Sequence, residues 1–455
     1  MQKTIAVTRW LVKIPNPSTA LLYVVVLFSL PAAQAADWDP PKPNPKNPVN
    51  YVEWVNETLG KDIKHNAFDD YAAAFDLIKP VGKGDRIFGG EKLAGGKGFS
   101  TWLRDSRKGL DLFRRATLEN ECFFRSELGE STDNPRVHQS LILVMIPYLS
   151  KHRTAAKGMM AEGNRASREG DQQILVANAL TILRSAQHLY RSPSTISRLV
   201  GISVAALAYK GIVVALTEST APASLASKFA EELTAADPVH PPLSLQTRME
   251  RLMIRDFCQR VFEPGRRKGS WKMYGPMLEA SGLSFSDAEV SKMKRIGYDR
   301  TLREVDKYFD GMDAWFDTLF HSTKSGNRGK QGAPPFERIY RDTKNPLLKA
   351  LLPSLGRFRL LHERITATRR ATHLIVHLHD YRQKNGAFPD SLDQLDLPDL
   401  AELRIDPFSG RDFVYRPSDA QFLLYSFGDN LQDDGGRHAY WKKEGDVVFW
   451  PVPKE

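Results

Sequence analysis

The chain has 455 residues, 42% hydrophobic and 26% charged, with a formal net charge of +10. That length holds about two to three domains with sizeable cores, and the mild basic excess favours anionic surfaces without requiring them. No arginine-rich, aromatic-interleaved patch argues for nucleic acid, and the two cysteines form no CxxC or Cys/His zinc spacing.

Lys3, Arg9 and Lys13 precede an apolar run, Ala20–Leu30, that is too short to span a bilayer comfortably. Small residues at Ala33 and Ala35 follow, so 1–35 reads as a secretory signal peptide, its removal leaving +7. An uncleaved membrane anchor is the alternative. Export places Cys122 and Cys258 in an oxidising compartment, where a disulfide would close a long loop; two buried free thiols are the alternative.

Residues 36–65 read as a proline-rich linker, extended over Asp37–Asn50, with a short helix at Tyr51–Leu59. Asn66 then caps a helix. Val81–Gly98 tempts a phosphate-loop reading, but Glu91 and Gly98 stand where glycine and serine or threonine are needed, so a flexible surface loop is expected. Helices are expected from Ser100, over Val137–Leu149 with a bend at Pro147, over Thr154–Arg168, and over Asp171–Tyr190 with Ile174, Leu175, Ala177, Leu180, Ile182 and Leu183 inward. Ser192-Pro193 reads as a cap and first turn. Its run Leu199–Leu216 is interrupted by Lys210 and preceded by Arg198, and reads as a buried helix rather than a membrane span. Helices at Ser244–Phe262 and Tyr298–Phe320 complete an α-helical body over 66–321. A glycine-, lysine- and proline-rich stretch marks a flexible linker over 322–344.

The last part, 345–455, has a different pattern. A long helix over Arg357–Lys384 carries Ala371, Leu374, Ile375, Leu378 and Tyr381 as one stripe, with Arg364, Arg369, Arg370 and Arg382 mostly facing water. Gly386 ends it. Strands follow at Phe413–Tyr415, Phe422–Phe427 and Asp446–Trp450. The fold class is therefore mainly α: an irregular array of helical hairpins followed by a small α+β domain of one long helix and an antiparallel sheet.

At YRQKNGAFPDSLDQL, DPFSGRDFVYR and FLLYSFGDNLQDDGG the chain resembles the globular head of type II secretion major pseudopilins. The helical body more loosely resembles exported bacterial proteins that carry such a tail. The resemblance implies a helix packed on a small sheet and a calcium ion in the loop after the last long strand. Phe427, Asp429, Asn430, Asp433 and Asp434 are the candidate ligands. The same cluster of oxygens within a few residues suits calcium on chemical grounds, against a solvated acidic turn.

GxSxG, HExxH, GxGxxG and EF-hand patterns are absent, so no catalytic or cofactor-binding residue is assigned. His362, His373, His377 and Asp380 fall on one helical stripe at metal-ligand spacing; packing or hydrogen-bonding roles are the alternative. The expected function is an exported, non-enzymatic interaction or scaffold protein of the periplasm or cell envelope, with an envelope protein as partner. A hydrolase-type enzyme with a site in the helical body and a secretion-apparatus component are the alternatives. A deep pocket with convergent polar residues would favour the enzyme.

Overall fold

Side-chain caps fix where many of the helices begin. The computed structural model describes residues 38–453 apart from 82–96, 129–133, 145, 218–222, 317, 319–334, 353–355, 398 and 440–444. The expected signal peptide, most of the glycine-rich stretch and residues 322–334 of the expected linker lie outside the described residues. Residues Asp39–Glu455 form one compact unit.

Asn50 caps α1 (Tyr51–Gly60), and Asn66 caps α2 (Ala67–Leu77) by accepting from the Phe68 amide at 3.1 Å. The lead-in to α1 is extended, as proline dictates, but it is no free linker. Gln259 accepts from the Asn44 and Val49 amides at 2.9 and 3.0 Å and donates to the Val49 carbonyl. Arg136, Arg260 and Tyr298 donate to the Pro45, Val49 and Pro43 carbonyls. Proline removes donors yet keeps its carbonyls, so arginine and tyrosine donors can hold such a segment.

Next comes α3 (Lys97–Ala116), crossing α2 at Gly109. A Cβ there would lie 2.8 Å from the Ala74 carbonyl oxygen and 2.9 Å from the Ile78 amide. Those are backbone atoms, so Gly109→Ala should cost about 1–3 kcal/mol as overpacking, read from the urea midpoint. An unchanged midpoint would mean that the two helices separate freely.

The single helix expected over Val137–Leu149 is broken into α4 (Pro135–His138), a 3-10 turn at Leu141–Leu143, and the start of α5 (Tyr148–Arg168). Asp256 causes part of the break: its buried carboxylate takes the Leu141 amide at 2.8 Å and the Ser140 hydroxyl at 3.1 Å. Gly170 follows α5 with φ +93°, and Asp171 caps α6 (Gln172–Arg191). Ile174 and Ala177 face outward rather than inward, because Val176 and Ala179 take the buried face. Ser194, not Ser192, caps α7 (Thr195–Thr217), taking the Ser197 amide at 3.3 Å. Among the described residues α7 alone is long and apolar enough to cross a membrane, and 56% of that apolar window is buried inside the protein. Helices α2, α3, α5, α6, α7 and α8 (Ala223–Ala236) share the first core.

A second core forms from α9 (Ser244–Val261), the hairpin of β1 (Phe262–Pro264) and β2 (Trp271–Met273), α10 (Gly275–Ala280), α11 (Asp287–Ile296) and α12 (Tyr298–Phe316). Part of the expected flexible linker also belongs to it. Residues Pro335–Asp342 form α13, whose Phe336 is fully buried beside Tyr308 and Trp315. The apolar Phe336 and Ile339 override the loop composition that precedes them. Asn345 caps α14 (Pro346–Leu351). Cys122 lies in the first core and Cys258 in the second; both are free, buried thiols, and burial pushes both above the ordinary thiol range.

The long helix α15 (Gly356–Asn385) touches all three cores. Phe358 belongs to the second, Ile365 and Val376 to the first, and Ala371, Leu374, Ile375 and Leu378 to the third. The expected single stripe is therefore one of several, and Arg369 is buried rather than facing water. After α16 (Leu400–Leu403), strands β3 (Val414–Pro417), β4 (Phe422–Ser426) and β5 (Val447–Trp450) form an antiparallel meander in that order. Its inner face packs Phe422, Leu424 and Trp450 against α15. The result is a mainly helical protein with a small α+β end.

Candidate functional site: the cleft beside the long helix

The segment Asp237-Pro238-Val239-His240-Pro241-Pro242 joins α8 to α9, and its prolines prevent either helix from continuing. Its two polar side chains turn inward toward α6, α7 and α15. Asp237 is fully buried and accepts from Tyr209 (2.7 Å), Gln187 (3.0 Å) and His373 (3.1 Å), with the Arg369 guanidinium 3.8 Å away. Burial alone would raise its pKa, but the His373 bond and the Arg369 guanidinium outweigh that and hold it down at about 2. Three helices, α6, α7 and α15, are thereby tied to one carboxylate.

Around this pin lies a cleft made of two cavities of about 450 and 530 Å³, which share Phe316, His362 and Glu363. His240 lines the first. Its side chain is 3% exposed, neither ring nitrogen has a hydrogen-bond partner among the described residues, and Nε2 stops 3.9 Å from Asp237. Its ring packs 4.6 Å from Tyr190 and 6.2 Å from the His362 ring. Burial, helped by Arg369 and Arg198 and opposed by Asp237, lowers its pKa to about 3, so it is neutral. The Thr366 hydroxyl in the same wall is also buried without a partner among the described residues.

His362 is neutral for the same reason, and its tautomer follows from its neighbour. Arg198, itself buried, donates to the Pro241 and Pro242 carbonyls, Gln246 and His362 Nδ1, the last at 3.2 Å. A guanidinium only donates, so Nδ1 accepts and the proton sits on Nε2. Glu363 sits between the cavities, its pKa raised by burial against the pull of Arg359 at 3.5 Å. Glu402 is gripped by Arg370 at 2.6 Å and Arg369 at 3.1 Å. The cleft thus offers neutral imidazoles, a hydroxyl and two carboxylates on fixed supports.

Of the residues singled out from the sequence, His362 lines the cleft and the others lie outside its lining. His362 rests on Arg198, His373 on Asp237, and Asp380 on Ser227 and Lys384, while His377 is held neutral by burial; the stripe makes packing and hydrogen-bond contacts with different elements. Phe427 precedes a 3-10 turn at Gly428–Asn430. Asp429 pairs with Arg364 at 2.6 Å, and Asn430 donates to Asp434 at 2.8 Å. Asp433 accepts from Tyr425 and the Gly435 amide, and Asp434 from the Gly445 amide. Among the described residues no group of three or more His, Cys, Asp or Glu is disposed to hold a metal.

Sequence reasoning missed Asp237, His240, Arg198, Glu363 and Arg369. Two signals were available: an arginine leading an otherwise apolar helix, and an aspartate and a histidine fixed between prolines. No protein-family model, no curated protein and no solved structure matches this chain.

Proposed function

We propose that this is an exported, non-enzymatic binding protein of the periplasm or cell envelope, whose ligand site is the cleft beside α15. Export rests on the N-terminal pattern of basic residues, apolar run and small residues. The observation that carries the site is His240: a buried imidazole with no hydrogen-bond partner among the described residues, facing a cavity of ligand size. A buried polar group left unpaired costs about 1–3 kcal/mol, and a ligand that pairs with it recovers that cost.

Thermal-shift screening of a fragment set tests this. Fragments that raise the midpoint of the wild-type protein should fail to raise that of His240→Leu. The variant itself should be as stable as wild type or more so, by about 1 kcal/mol, since it loses only an unpaired polar group. A screen without hits on the wild type would sink the proposal.

An enzyme is the second reading, and Glu363 beside His362 is the observation that favours it, since burial poises that carboxyl upward. Binding is preferred because the hydroxyls lining the cleft at Ser244, Thr247, Thr318 and Thr366 make no hydrogen bond to either imidazole. Turnover by the purified protein, lost in Glu363→Gln, would reverse that preference. A secretion-apparatus role and a calcium ion at Phe427–Asp434 rest on the sequence resemblance. The ion predicts a higher melting temperature in calcium than in chelator, and equal temperatures would remove it.

A further inference from the structure

Resting on the reading of the cleft as a binding site, we infer that its ligand is an acidic sugar, a hydroxyl-rich ring bearing one carboxylate or phosphate monoester. Arg248 is the first ground. It lines the second cavity half-buried and, among the described residues, meets no carboxylate and no other hydrogen-bond partner. The other arginines of the cleft are engaged: Arg359 by the Trp315 and Thr318 carbonyls, Arg369 and Arg370 by Glu402. Asp313, the acid on the same wall, is held by Arg251 at 3.2 Å. Arg248 is therefore the cation left for an incoming anion, and a guanidinium receives carboxylate or phosphate through paired N–H donors.

The second ground is the wall itself. Phe316 lines both cavities and offers an apolar face to the C–H side of a ring. Glu363 and His362 line both cavities with it, His240 and Thr366 line the first, and together they supply donors and acceptors suited to hydroxyl groups. A hydrocarbon would leave His240 and Thr366 unpaired. Cavities of about 450 and 530 Å³ accommodate one or two sugar rings.

Calorimetric titration with lactose, its uronate (the galactose C6 oxidised to carboxylate, both rings intact) and lactose 1-phosphate tests this on the full chain. Both anions should bind at least tenfold tighter than lactose, and added salt should narrow the gap. Arg248→Met, which keeps the apolar stem, should weaken the anions tenfold or more and lactose by much less, with the urea midpoint confirming that it folds. His240→Leu should weaken all three. Lactose binding as tightly as the anions, or anion affinity indifferent to Arg248→Met, would overturn the acidic ligand and leave the cleft standing. If none of the three binds, the fragment screen separates the cases: hits lost in His240→Leu overturn only the sugar, and no hits overturn the cleft as well.

Discussion

Asp237→Ala is expected to lower the stability of the protein by about 3–5 kcal/mol, the range for breaking a buried charge out of its network. The substitution strands the Tyr209 hydroxyl and His373 Nε2 in the interior, takes one of two acceptors from the Gln187 amide, and removes the carboxylate beside Arg369, which keeps the main-chain carbonyl of residue 237. Because those groups sit on α6, α7 and α15, the loss should weaken the attachment of the long helix to the helical body, not merely one contact. Asp237→Asn keeps an acceptor oxygen and should cost less. Asp111→Ala on the exposed face of α3 is the control and should stay within about 0.5 kcal/mol. Urea unfolding followed by circular dichroism reads all three; a drop below about 1 kcal/mol for Asp237→Ala would show that the joint is held by apolar packing alone.

Acidification is the second large effect. His152, His188 and His240 are buried, and burial lowers their pKa values from 6.5 to about 3, 4 and 3. Each binds a proton more readily in the unfolded chain than in the folded one. The stability this confers is complete above about pH 6.5 and is lost as pH falls toward the folded values. At pH 5 each histidine has forfeited about 2 kcal/mol relative to pH 7, so the three together remove about 6 kcal/mol, a large part of an ordinary protein's stability. Glu250 and Glu363, raised by burial, act in the opposite direction and soften the fall. His152 isolates the cause. It lies among Tyr71, Phe75, Phe113, Phe124 and Tyr148 with neither ring nitrogen bonded among the described residues. His152→Leu should match wild type or exceed it at pH 7 and fall about 2 kcal/mol less between pH 7 and pH 5. Parallel pH curves for the two proteins would remove His152 as a contributor.

Much of the architecture was legible in the chain itself, because it depends on neighbours in sequence. Asn66 announces a helix start, Gly386 a helix exit, and the alternation around Phe413–Phe427 a hairpin; each works through its own backbone. Local patterns misled wherever a distant side chain intervened. Asp256 captured the Leu141 amide and broke a helix, Gln259 and Arg260 fastened a proline-rich segment, and Phe336 drew part of a linker into a core.

The cleft belongs wholly to that second kind. Asp237 and His240 lie more than a hundred residues before His362, Glu363 and Arg369, and no periodicity relates them. Composition could say that α15 was apolar and basic, but an arginine on a helix is equally at home in water. Only the packing of α6, α7 and α8 against it turned Arg369 inward to a buried carboxylate and left His240 facing a cavity. Helix caps and strand alternation are written within a few residues; a binding site is written in which surfaces are brought together, and that is settled by burial.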